Sequence, residues 1–168
     1  HPLDDYKYEM RYFCNTKLEP LKDLNNFLGK TVSIGGIITK IEHRVSKNGK
    51  GWAIFTLEGY DESYDFRIFG EEYLKFRHFL IQNNFTFIKL LVKEGWTGAD
   101  GKKGDPRMQF TAVQYLQDVL TTFAKKLILQ FNITDLNDNL IQALNALLSK
   151  SKGDNQVTME VMELERVK

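Results

Sequence analysis

Lys30-Thr31-Val32-Ser33-Ile34-Gly35-Gly36-Ile37-Ile38-Thr39 is the stretch on which the fold turns. Val32, Ile34 and Ile38 alternate with Thr31, Ser33 and Thr39, a period of two that marks a long strand with one buried face. The Gly35-Gly36 pair predicts a bulge or sharp bend in its middle, since glycine has no side chain to resist coiling. Downstream, Ser46-Lys47-Asn48-Gly49-Lys50 carries the Asn-Gly signal of a tight turn. A second strand follows from Trp52 to Glu58, with Ala53, Phe55 and Leu57 on one face and Trp52, Ile54 and Thr56 on the other. Gly59 to Glu62 turns the chain into a third strand, where Tyr64, Phe66 and Ile68 alternate with Asp65, Arg67 and Phe69.

The period then changes. Tyr73, Phe76, Phe79 and Leu80 share one face of a helix that begins near Gly70, and Glu71 and Glu72 suit the positive end of its dipole. Asn83-Asn84 stops it. Phe85 to Val92 reads as a fourth strand, a loop with Gly95, Gly98, Gly101 and Gly104 precedes Pro106, and Met108 to Leu116 reads as a fifth strand. Three meandering strands, a helix and two further strands form the element order of an OB-fold, a small five-stranded Greek-key barrel. The expected class is therefore mainly β, with that barrel over residues 30–117.

Two flanking segments complete the reading. Residues 1–29 form a helical linker, in which Leu3, Tyr6, Met10 and Phe13 make an apolar stripe behind Pro2, Asp4 and Asp5. Residues 118–168 form a small β-α-β unit: a strand from Lys126 to Phe131, a helix capped by Thr134 or Asp135, and a strand from Val157 to Leu164. Leu136, Leu140, Leu144, Leu147 and Leu148 are its expected buried helical stripe. So small a unit cannot build a generous core alone, and is expected to pack on the barrel or on other domains.

Charge narrows the function classes. The 168 residues carry 23 Lys and Arg against 22 Asp and Glu, a net +1, which excludes a uniformly basic binder. Residues 30–117 hold 13 basic and 10 acidic side chains, a +3 excess, whereas the segments on either side are each −1. Much of that excess lies in two loops, one with Arg44, Lys47 and Lys50, the other with Lys102, Lys103 and Arg107 against Asp100 and Asp105. No apolar run reaches the roughly 20 residues of a membrane-spanning helix. One cysteine, Cys14, rules out an internal disulfide and points to a reducing, cytoplasmic setting. The first residue is His rather than Met, so a fragment of a longer polypeptide is expected.

No catalytic constellation emerges, and no metal or other cofactor is expected. The serines lack a nucleophile elbow. The glycines at 98, 101 and 104 lack the Lys-Ser/Thr ending of a phosphate loop. Asp61, Glu62 and Asp65 read as a solvated turn, and Cys14 as a small core residue. Binding fares better. OB barrels hold single-stranded nucleic acid across strands two and three, between the first-to-second and fourth-to-fifth strand loops, and here both loops are basic. Arg44, Lys47, Lys50, Lys102, Lys103 and Arg107 are the candidate phosphate contacts. Trp52, Phe69 and Trp96 are candidate stacking platforms, with Arg67 beside them.

The opening His1-Pro2-Leu3-Asp4-Asp5-Tyr6 resembles the HPLD-Y stretch of the bacterial replicative polymerase, the DNA polymerase III alpha subunit. Val32 to Ile38, then Lys47-Asn48-Gly49-Lys50-Gly51-Trp52-Ala53-Ile54-Phe55-Thr56-Leu57-Glu58, is similar to that family's "V-x-G-I" strand, "K-x-G-K" loop and "M-A-F-V-T-L-E-D" strand. Phe66-Arg67-Ile68-Phe69 and Tyr73 resemble its "V-V-F-P-x-x-Y" passage. Trp52 stands at the usual Met, and Gly59 replaces the Asp. The resemblance implies a non-catalytic, C-terminal piece of a nucleotidyltransferase that contacts single-stranded template DNA. It also implies contact with other domains of the parent polymerase and, through residues 118–168, with a clamp-loader subunit. Two rival readings share the barrel: a protein-interaction scaffold, and the anticodon-binding domain of an aminoacyl-tRNA synthetase.

Overall fold

A computed structural model describes residues 1–99 and 101–163 and divides the chain into two compact units, His1–Leu120 and Thr121–Lys168. Asp100 and Leu164 lie outside the described residues. The first unit opens with a 3-10 turn, Pro2–Tyr6, that runs into α1 (Lys7–Phe13). Two further 3-10 turns, Glu19–Lys22 and Leu24–Phe27, lead into the sheet. Its strands are β1 (Thr31–Val45), β2 (Gly51–Glu58), β3 (Ser63–Phe69), β4 (Phe85–Lys93) and β5 (Arg107–Tyr115), with α2 (Gly70–Phe76) between β3 and β4. Every pairing is antiparallel, in the order β3-β2-β1-β4-β5. Because β4 returns beside β1 rather than β3, the first four strands make a Greek key.

The closed barrel expected from the sequence does not form. Among the described residues no ladder joins β3 to β5, and the sheet stays open along that seam. Two local features account for it. The β5 register slips opposite Lys89 and Leu90, setting Thr111 out of the ladder as a bulge. The Phe110 amide then donates to the Glu72 carboxylate of α2 at 2.9 Å, so a side chain satisfies that edge donor. The interior is nonetheless sealed, because Phe110 packs its ring 6.1 Å from both Phe55 of β2 and Phe66 of β3. Ile34, Ile38, Ala53, Leu57, Ile68, Ile88, Leu90 and Val92 fill the same core.

The bulge of β1 falls three residues beyond the glycine pair. β1 pairs with β4 over Thr31 to Ile37 and with β2 over Ile37 to Val45, and the register breaks at Thr39, between Ile38 and Lys40. Gly35 and Gly36 serve close approach. A Cβ on Gly35 would stand 2.5 Å from Met10 Sδ, and one on Gly36 2.5 Å from the Glu58 carbonyl oxygen. The first of these gaps admits α1 to the outer face of β1. There Leu3, Phe87, Leu116 and Val119 are buried, and Tyr6 packs on Phe85 at 4.7 Å.

The second unit holds β6 (Lys126–Asn132), α4 (Asp138–Lys150) and β7 (Gln156–Met162), after the short α3 (Val119–Phe123) that crosses the division. β6 and β7 are parallel, which requires the crossover that α4 supplies. The α4 cap is Asn137, whose side chain accepts from the Leu140 amide at 2.9 Å. Thr134 and Asp135, the expected caps, are spent in a separate 3-10 turn, Ile133–Asp135. Leu136, Leu140, Leu144 and Leu148 are half-buried and Leu147 is exposed. No described side chain from Thr121 onward is fully buried. Among the described residues no helix is long and apolar enough to cross a membrane.

Candidate nucleic-acid interface

Alternation along β1, β2 and β3 places a row of side chains on the face opposite the core. Register sets Arg44 opposite Trp52 and Trp52 opposite Phe69. The Arg44 guanidinium lies 5.4 Å from the centre of the Trp52 ring, and Trp52 stacks on Phe69 at 5.3 Å with 19° between the planes. Phe69 remains 54% exposed, so the stack ends in an open ring face. Neighbouring rows are Glu42, Ile54 and Arg67, then Lys40, Thr56 and Asp65, with the Thr56 hydroxyl donating to Asp65 at 2.6 Å.

Along the open seam runs a groove of about 780 Å³. Arg67, Phe69, Trp96 and Arg107 line it, together with Ile54 and Met108. Arg107 sits 4.3 Å over the Trp96 ring, which is itself 76% exposed. Trp96 is held by a miniature hairpin rather than a loose loop. Gly104 donates to the Trp96 carbonyl at 2.9 Å, Gly98 to Lys102 at 2.8 Å, and Thr97 bridges Lys103. Glycine is required at 95, where a Cβ would stand 2.2 Å from the Gly104 carbonyl oxygen.

The structure thus brings Arg67, Phe69, Trp96 and Arg107 into one groove and continues it through Trp52 to Arg44. The other predicted residues are placed differently. Lys47 and Lys50 stand exposed on the β1–β2 turn, closed by the Ser46 amide donating to the Lys50 carbonyl at 2.8 Å, with Gly49 at φ +74°. Lys103 is paired with Glu94 at 2.8 Å, and Arg44 with Glu42, so both cations are partly compensated. Lys102 is exposed on the miniature hairpin. Sequence reasoning missed Asp65, Glu72, Tyr64 and Leu24, which also line the groove. The period-two pattern that exposed Arg67 and Phe69 could have found Asp65, whereas nothing in the local sequence signals Leu24.

Two acidic side chains, Asp65 and Glu72, stand in the groove against its two arginines, Arg67 and Arg107. Burial pushes the Tyr64 phenol above its ordinary range, so it is a neutral hydroxyl at physiological pH. Among the described residues no group of three or more His, Cys, Asp or Glu is placed to hold a metal ion.

The arrangement defines a class, a mainly β Greek-key module with a groove of aromatic rings and guanidinium groups at its open seam. Comparison with curated proteins adds a resemblance. Over 160 residues, 95% of its length, the chain is 25% identical to the DNA polymerase III subunit alpha of Pseudomonas fluorescens. It is 24% identical to that of Pasteurella multocida over 153 residues, and 33% identical to that of Saccharopolyspora erythraea over 95 residues, 56% of this chain. No family model matches. The resemblance to the DNA polymerase III alpha subunit therefore spans nearly the whole chain, and the chain spans only 13% of the first two relatives and 8% of the third.

Proposed function

We propose that this chain is a non-catalytic, OB-type module of a replicative DNA polymerase and that it holds single-stranded DNA in the β3–β5 groove. One observation carries the reading: Arg67, Phe69, Trp96 and Arg107, drawn from three parts of the sequence, converge on one open groove beside the Trp52–Phe69 stack. Unpaired bases stack on exposed rings for roughly 1–3 kcal/mol each, without base preference, while guanidinium groups follow the phosphates. Similarity to DNA polymerase III alpha subunits supports a strand of DNA as the natural occupant.

Arg44, Lys47, Lys50, Lys102 and Lys103 extend the charged rim in this reading. Affinity is modest for an isolated module, because the parent enzyme adds binding through other domains. Anisotropy titration of labelled oligo-dT tests the proposal. Log affinity falls against log salt with a slope of roughly −0.7 per phosphate held, and charge reversal of Arg67 and Arg107 together flattens it by about 1.4. Absence of binding at low salt contradicts it.

The second unit favours an additional role in protein contact. Leu127, Val157, Met159 and Val161 are exposed apolar residues on two strands. In this reading they meet other polymerase domains or a clamp-loader subunit.

A further inference from the structure

A second cleft, of about 770 Å³, lies between α1 and the β2–β3 turn, away from the groove described above. Lys7, Met10, Arg11 and Cys14 line it at positions i, i+3, i+4 and i+7, the spacing of one helix face. Ile34, Gly35, Leu18 and Tyr60 complete its apolar floor, and Lys17 stands on its rim. One step round α1, Tyr8 and Tyr12 are 55% and 66% exposed. Each carries its neighbouring cation over its ring, Lys7 at 5.1 Å and Arg11 at 5.6 Å.

The acids at this cleft are largely engaged. Both Glu62 oxygens accept backbone amides, from Leu18 at 2.7 Å and Glu19 at 2.8 Å. Glu19 is paired with Lys22 at 2.7 Å. Asp61 also lines the cleft, and Asp4, which acts on Lys7, is itself paired with the N-terminal ammonium. Exposed rings on the adjoining side of α1, each with a cation over it, beside a cleft lined by the same cations fit a ligand that alternates flat faces with negative charge.

We infer that this cleft and the adjoining exposed side of α1 form a second contact for single-stranded nucleic acid, with Lys7, Arg11 and Lys17 on phosphates and Tyr8 and Tyr12 as stacking faces. The inference rests on the reading of the groove as the first contact. β3 connects the two sites, since the turn before it borders the cleft and Tyr64 to Phe69 border the groove. From Glu62 at the cleft to Phe69 at the far, ring-bearing end of the groove is roughly 20 Å of strand, a span that a longer strand covers and a short one does not. Linking two weak contacts on one ligand multiplies affinity without any new surface.

The test compares oligo-dT of about 6 nucleotides with one of about 20, the first near the lower end of the roughly 4–16 nucleotides that one such fold occludes and the second beyond its upper end. The whole chain is expected to bind the longer strand about tenfold more tightly, with a steeper salt slope. Lys7→Gln, Arg11→Gln and Lys17→Gln together, all at exposed positions, remove that gain, lower the slope by about 2 and leave the short strand unaffected. Tyr8→Ala with Tyr12→Ala, a variant that keeps every charge, also reduces the gain. A length gain that survives both variants overturns this inference alone. Binding of neither length overturns it together with the groove.

Discussion

The two units of the chain use the same alphabet of alternating strands and amphipathic helices and reach opposite ends. Every buried side chain among the described residues lies between Leu3 and Val119, whereas β6, α4 and β7 bury none. The contrast does not come from residue type. Leu127, Leu129 and Phe131 of β6 face the same side as Val157, Met159 and Val161 of β7, as apolar a surface as the inner face of β2. It comes from the number of layers. Five strands curl far enough for Phe55, Phe66 and Phe110 to meet across the open seam, while two strands and one helix leave their edges uncovered.

That comparison can be broken by mutation. Phe66→Ala should cost about 3–5 kcal/mol, the usual range for a fully buried aromatic, read as a lowered urea midpoint of the first unit. Leu144→Ala, on the half-buried face of α4, should cost less than about 1 kcal/mol and leave that midpoint unmoved. Equal losses would show that the second unit has a core of its own.

A smaller effect sharpens how the first unit secures its N-terminal segment. Glu62 accepts the Leu18 and Glu19 amides with its two oxygens, so Glu62→Ala should cost about 1–3 kcal/mol. It should also raise hydrogen exchange at those two amides specifically. Unchanged exchange there would remove Glu62 as the anchor.

The mildest perturbation is alkaline pH. Burial pushes the Cys14 thiol up to about 12. A raised folded-state value means its stabilising share is complete below the ordinary thiol range near 8.5 and is lost as pH climbs towards 12. Moving from pH 8 to about 9.3 should cost about 1 kcal/mol, an effect that Cys14→Ser abolishes. Iodoacetamide at pH 8 should label Cys14 slowly in the native protein and rapidly in urea.

Much of the first unit was legible because its strands alternate. Ala53, Phe55 and Leu57 against Trp52, Ile54 and Thr56 set both the core face and the binding face from spacing alone. The open seam was not legible, because it depends on a bulge at Thr111 and on Glu72 reaching the Phe110 amide, pairings distant in sequence. The close approach at Gly35 was not legible for a similar reason, because it depends on Met10 and Cys14, distant in sequence, lying beneath it. For the site, exposure of Phe69 and Arg67 followed from alternation. The convergence of Trp96 and Arg107 on them required the strand order. The turn that carries Glu62 read as solvated, yet its carboxylate is a structural anchor.

Both tryptophans of the chain, Trp52 and Trp96, lie on the proposed strand-binding surface, so intrinsic fluorescence reports directly on stacking. Titration with oligo-dT at low salt should quench the emission saturably. The quench should shrink in Trp96→Phe and vanish when Arg67 and Arg107 are reversed in charge. Emission that stays constant while the strand is added in excess would contradict the account.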